Sequence, residues 1–231
     1  GCKSLTEITI PTGVRALEDC IFSGCAALLR VDLPSGLYSI DRDAFFGCKS
    51  LTEIAIPSGI RVLESNVFYN CTALRRIDLP AGLYSIGSGA FSGCASLTEI
   101  EIPAGVTSIG GYAFSGCASL MRIDIPSGVT SIWGLAFSGC TSLTEITIPS
   151  GVTEIGAYAF SGCASLTEIT LPSGLTSIGS AAFYNCTSLT EIEIPAGVTE
   201  IADDDMDGTF ENCTALITIT LPAGQTRIGK R

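Results

Sequence analysis

Nine cysteines recur at intervals of 23 residues, Cys2, Cys25, Cys48, Cys71, Cys94, Cys117, Cys140, Cys163 and Cys186, and a tenth, Cys213, follows after 27. A fixed period of this length confines the chain to stacking one short unit on the next, because a single unit this small cannot bury an apolar face alone. The expectation is a β-rich solenoid of ten coils. It forms one domain over residues 1–231, with a four-residue insertion near 203–208. At one strand spacing of about 4.8 Å per coil the rod is about 45 Å long.

Residues 94–116 show what each unit builds. Ile100 and Ile102 alternate with Glu99 and Glu101, the period of a strand with one buried side. Pro103 ends that strand, since proline has no amide hydrogen for a ladder, and all ten prolines, Pro11 to Pro222, hold this position. Gly105 marks a turn, and Val106 to Ile109 makes a second short extended segment. Phe114, Cys117 and Leu120 are spaced by three, which suits a short 3₁₀-like turn.

The unit C-x-x-L-x-x-I-x-I-P-x-G-V-x-x-I-x-x-x-A-F, carried with conservative exchanges from Cys163 to Phe183, resembles the 23-residue leucine-rich repeats of the BspA-like bacterial surface-protein family. The resemblance covers the whole chain and implies a curved, right-handed leucine-rich-repeat solenoid with a parallel sheet on one face. It also implies adhesion and host-protein binding, with an extracellular-matrix or plasma protein as partner and a cell-surface or secreted location. Gly1 stands inside a repeat, and the last unit stops at Arg231, before its Ala-Phe step. The expectation is a piece of a longer chain.

Charge narrows the partner. The net charge is −11. Residues 1–122 hold nine basic and eleven acidic side chains, whereas 123–231 hold three basic and twelve acidic. An acidic C-terminal half lacks the basic footprint that nucleic acid or an anionic membrane requires. No apolar run approaches the roughly 20 residues of a membrane span, so this segment is not expected to insert.

Three sets of residues stand out as candidate sites. Strand positions facing solvent read Glu7, Arg30, Glu53, Arg76, Glu99, Arg122, Glu145, Glu168, Glu191. Signs alternate and then give way to three acids, which Glu193 joins as a basic-partner surface. A neighbouring column reads Asp32, Asp78, Glu101, Asp124 and Glu193, with three arginines two residues before the aspartates. A column on the second extended segment reads Arg15, Tyr38, Arg61, Tyr84, residue types that contact surfaces favour and that can stack by cation–π contact. The N-terminal part accordingly reads as a duplicated 46-residue pair.

The insertion, Asp203-Asp204-Asp205-Met206-Asp207-Gly208, opens like a calcium loop. Asp203, Asp205, Asp207 and Glu211 are its candidate ligands. Thr214 stands where an EF-hand needs its bidentate glutamate, so the expected Ca²⁺ site is weak, and no other cofactor is expected. The in-phase cysteines are expected as buried free thiols. A zinc site lacks both histidine and paired C-x-x-C motifs.

Without histidine, no Ser-His-Asp or Cys-His mechanism can be assembled. The remote catalytic option is a glycoside hydrolase built on Glu99, Glu101 and Asp124, on an open face with nothing to raise one carboxyl's pKa. The sequence thus favours a non-enzymatic binding or adhesion module presenting a repeat face to a protein partner. The alternative is a structural spacer within a longer surface protein.

Overall fold

The computed structural model describes residues 1–199, 201–202 and 208–222. Each cysteine opens a coil, so coil 1 starts at Cys2 and coil 10 at Cys213. Nine complete turns separate those two residues. No helix occurs among the described residues.

Each coil turns three times. The first strand (Glu7–Thr9 in coil 1, Arg30–Asp32 in coil 2) is followed by proline, whose carbonyl accepts from the amide three residues on, as in Val14 to Pro11 at 3.0 Å and Leu37 to Pro34 at 3.0 Å. The glycine inside this turn has no positive φ, and in coils 3 and 9 it is demanded by crowding between coils. A Cβ at Gly59 would lie 2.5 Å from the Leu37 carbonyl oxygen of the coil before. The second strand is two residues long, as in Ala16–Leu17 and Ser39–Ile40, and pairs in parallel with its neighbour. The chain then rounds the Ala-Phe corner through consecutive three-residue turns: Cys48 N donates to Phe45 O at 3.1 Å and Leu51 N to Cys48 O at 3.1 Å.

That corner carries the most continuous ladder in the molecule. Amides at three alternate positions, Cys20, Phe22 and Gly24 in coil 1, donate to carbonyls of the next coil at 3.0, 2.8 and 2.6 Å, and the Phe series continues unbroken to Phe183 and Thr209. Residues on either side of the phenylalanine adopt left-handed backbone, which turns these amides along the rod axis. One such column holds only glycine and asparagine, from Gly24 to Asn212, the residues that reach this region at low cost. The other holds Cys20, Asp43, Asn66, Gly89, Tyr112, Leu135, Tyr158 and Ala181.

The core follows the corner. Phe45, Phe68, Phe91, Phe114, Phe137, Phe160 and Phe183 are fully buried, and successive rings from Phe22 to Phe210 stack 5.4–5.7 Å apart. The insertion leaves this register intact. Phe183 and Phe210 stack at 5.6 Å, and the buried Thr209 hydroxyl donates to the Ala202 carbonyl at 2.6 Å, closing the neck of the inserted segment.

The cysteines do more than fill space. Cys48 Sγ donates to the Phe22 carbonyl at 3.2 Å, and the same bond recurs from Cys71, Cys94, Cys117, Cys140, Cys163 and Cys186 to the phenylalanine 26 residues earlier. Cys25 to Cys186 are buried and all eleven cysteines are free. Burial pushes the Cys48, Cys94 and Cys140 thiols up to about 12 and those of Cys71, Cys117 and Cys163 well above their ordinary range. A hydrogen bond to Cys213, together with burial, pushes Cys186 up as well.

The first-strand face is the least regular. Its strands bond in pairs, coil 1 with 2, 3 with 4, 6 with 7 and 9 with 10. Among the described residues no strand forms at 99–101, and 168–170 contributes a single bridge between Thr147 and Thr170. The expected sheet is therefore cut into short ladders, and grooves run along this face.

Candidate functional site

The charge columns land on this divided face, and their pairing differs from a cross-strand scheme. Glu7 lies in register opposite Arg30, and Glu53 opposite Arg76. Each arginine nevertheless turns along its own strand to the aspartate two residues on: Arg30 to Asp32 at 2.9 Å, Arg76 to Asp78 at 3.1 Å and Arg122 to Asp124 at 3.1 Å. Residues i and i+2 project from the same side of a strand, and the short aspartate holds its carboxylate within reach of the guanidinium. All six side chains are largely exposed, so each pair contributes at most about 1 kcal/mol.

After Arg122 the chain carries no lysine or arginine until Arg227. Ion pairing on this face ends there among the described residues. Glu168, Glu191 and Glu193 line one groove of about 520 Å³ that runs over coils 8 to 10, with Thr170, Ser173, Thr218 and Thr220 along its walls. Glu145 lines the adjoining groove of about 370 Å³ between coils 7 and 8, which it shares with Glu168. The four predicted carboxylates are thus brought together. The threonines and serine beside them escaped sequence reasoning because they carry no charge to single them out, and Ser173 stands where most coils have a small residue. The one available signal was that Thr170, Thr218 and Thr220 replace charged residues found in earlier coils.

The second predicted surface lies elsewhere, on the second strands of coils 1 to 4. Tyr38 and Tyr84 are 63% and 52% exposed. The expected cation–π stacking does not form among these residues. Arg15 Nη1 donates to the Thr12 carbonyl at 3.1 Å, and its guanidinium lies across Gly36 of the next coil, where a Cβ would come within 2.1 Å of Nη1. Arg61 lies in the same way across Gly82. Glycine offers the flat planar group a closer seat than a tyrosine ring one coil away. The 46-residue rhythm is real in three dimensions, repeating both this contact and the bonded pairs of first strands.

Of the calcium candidates, Asp203, Asp205 and Asp207 lie outside the described residues. Glu211 is described, and its carboxylate accepts the Gly208 amide at 3.1 Å. No group of three or more potential metal ligands occurs among the described residues. Glu99, Glu101 and Asp124 sit on coils 5 and 6 in the open; Glu101 lines a groove of about 410 Å³ with Leu79, Pro103 and Asp78, and Asp78 is ion-paired to Arg76.

Comparison with known proteins agrees with this architecture. A family model described as the BspA type leucine rich repeat region matches residues 1–121 and 107–231. A leucine-rich repeat protein from Bacteroides ovatus is 28% identical with a TM-score of 0.79, over 97% of this chain and 71% of that one. The T. pallidum leucine rich repeat protein is 33% identical with a TM-score of 0.67, over 70% and 78% of the two chains. A leucine rich cell surface protein from Faecalibacterium prausnitzii is 28% identical with a TM-score of 0.62, over 95% and 74%. Among curated proteins none matches the sequence. With the period, proline-ended strand and phenylalanine-cysteine corner all in place, and the family model spanning both halves, the chain belongs to the BspA-type leucine-rich repeat family.

Proposed function

We propose that the chain is a non-enzymatic binding module at a bacterial surface, presenting the acidic grooves of coils 7 to 9 to a basic segment of a protein partner. The observation that carries this reading is the change at coil 7. In coils 2, 4 and 6 the aspartates of the first face are neutralised by arginines of their own strands, and those arginines stand in coils next to Glu7, Glu53 and Glu99. Glu168, Glu191 and Glu193 have neither an ion pair among the described residues nor any lysine or arginine in the first strands of their neighbouring coils. Carboxylates lining a groove without internal counter-charges create a field that favours a lysine- or arginine-rich visitor. A spacer would need no such concentration of unpaired charge on one face. Host extracellular-matrix or plasma proteins are the partner class, and the Faecalibacterium relative named as a cell surface protein supports the location. Weak calcium binding by Asp203, Asp205, Asp207 and Glu211 belongs to the same proposal. Its test is calorimetric titration of the intact chain against Asp205→Asn.

The main test is binding of the intact chain to a panel of matrix and plasma proteins at increasing salt, beside a Glu168→Gln/Glu191→Gln/Glu193→Gln variant. Affinity should fall with salt, because exposed charges are screened over about 8 Å at physiological ionic strength, and should fall again in the variant. Binding that ignores both perturbations removes the acidic grooves from the interface.

A further inference from the structure

A different surface, at the Ala-Phe corner of coils 5 to 7, has features that the acidic face does not explain. Trp133 is the only tryptophan of the chain and is 53% exposed. Its column holds Glu18, Asp41 and Glu64 in the first three coils but glycine on both sides of the tryptophan, at Gly110 and Gly156. Two residues further along the flanking coils stand Tyr112, 52% exposed, and the half-buried Tyr158. Gly111, Gly134 and Ala157 form a floor of small residues between these rings. The spacing is locked, since the Tyr112 amide donates to the Gly134 carbonyl at 3.1 Å and the Leu135 amide to Ala157 at 2.9 Å.

The left-handed backbone at Tyr112 and Tyr158 belongs to the repeat, since Cys20, Asp43, Asn66, Gly89, Leu135 and Ala181 share it. What sets coils 5 to 7 apart is the aromatic rings placed there and the lack of charge around them. Charge narrows the ligand. Residues 107–115, 130–138 and 153–161 carry Glu154 alone among acidic and basic residues, whereas the corner of coils 1 and 2 carries Glu18, Asp19, Asp41, Arg42 and Asp43.

From these features we infer that Tyr112, Trp133 and Tyr158 form a stacking platform for a neutral, extended glycan. Aromatic rings offer flat apolar faces to the C–H side of a sugar while their polar edges stay wet. Rings on three successive coils, about 4.8 Å apart along the rod, meet successive sugar units of a chain lying parallel to the axis. The glycine floor lets the chain approach, and an uncharged surround suits a ligand without charge. This site is independent of the acidic grooves.

Trp133 reports on its own site. Cellohexaose, xylohexaose, mannohexaose and chitohexaose are each titrated into the intact chain while tryptophan emission is followed. At least one should quench or shift the emission saturably, and its affinity should fall about two- to tenfold in Tyr112→Gly, as expected for the loss of one stacking ring. Glycine suits the left-handed position, so that variant keeps its fold and its circular dichroism. Calorimetry on Trp133→Gly should show no heat with the same sugar, while Glu168→Gln/Glu191→Gln should bind it as the parent does. The inference is overturned if no sugar perturbs Trp133, or if either aromatic variant binds with unchanged affinity.

Discussion

Raising the pH should unfold this protein through its cysteine column, at a pH that leaves most solenoids intact. Seven thiols, those of Cys48, Cys71, Cys94, Cys117, Cys140, Cys163 and Cys186, are held above the ordinary value of 9.0. Each is 0% exposed and donates its proton to a carbonyl of the preceding coil. A raised folded pKa favours the folded state fully below pH 9, and that advantage is lost as pH climbs from 9 towards 12. At pH 10 an unfolded thiol is about ten-elevenths ionised, which favours unfolding by about 1.4 kcal/mol, whereas a folded thiol titrating near 12 stays protonated. Cys186 owes its shift first to Cys213, whose thiol the same hydrogen bond lowers, so the pair largely offsets itself. The other six thiols together give about 8 kcal/mol, comparable to the roughly 5–15 kcal/mol that holds a typical domain together. The estimate depends only on the folded values lying well above 10, not on their size. Urea titrations followed by circular dichroism at pH 7, 8, 9 and 10, with thiolate absorbance read in parallel, measure it. Stability should drop steeply above pH 9, and thiolate absorbance beyond what the four thiols outside this column can supply should rise only as structure is lost. A Cys94→Ala/Cys117→Ala/Cys140→Ala variant retains four of the seven thiols and should show a correspondingly shallower pH slope. Stability equal at pH 7 and pH 10, or more than four thiolates in a chain that is still folded, would refute the account.

The same burial fixes what a thiol reagent finds at neutral pH. Cys2 and Cys20 should react at once in the native protein and the half-buried Cys213 slowly, with all eleven reacting after denaturation without reductant; a shortfall in the denatured count would reveal cross-links. Phe114→Ala removes a fully buried ring stacked at 5.4 Å on Phe91 and 5.5 Å on Phe137, and should cost about 3–5 kcal/mol in urea unfolding. Phe114→Leu should cost less than half as much. Leu135→Asn should raise stability by up to about 1 kcal/mol, because Leu135 sits at φ 57° where asparagine is tolerated and leucine is not. A loss of stability there would show that the leucine side chain holds the corner by packing.

The period, the strand ended by Pro103 and the burial of the phenylalanine and cysteine columns are all legible in the sequence, because each rests on side chains whose identity is repeated coil after coil. Three features are not, and for one reason: the repeat conceals what the backbone does between coils. Gly24, Gly47 and Asn70 announce a left-handed column by their composition, and that signal was there to be read. Cys20, Leu135 and Tyr158 share its conformation without sharing any chemistry, so nothing in their identities shows that the corner bears the most continuous ladder. Opposite charges at Glu7 and Arg30 suggest a cross-strand pair that the register permits. Arg30 chooses Asp32 instead, a choice made by side-chain length and local geometry rather than by sign.

The acidic grooves show the same limit from the other side. Glu168 and Glu191 are visible as unpaired charges in a list of residues, but a column of like charges on a continuous sheet would be only a solvated surface. Here the ladder is interrupted between coils 8 and 9, and Glu193 and the threonines line a groove with Glu168 and Glu191. The hydrogen-bonded corner holds the coils together on one side, which leaves the first face free to open on another. In this solenoid the continuity of one face and the openness of the other are a single property, and the columns that make binding plausible depend on the column that makes the fold stable.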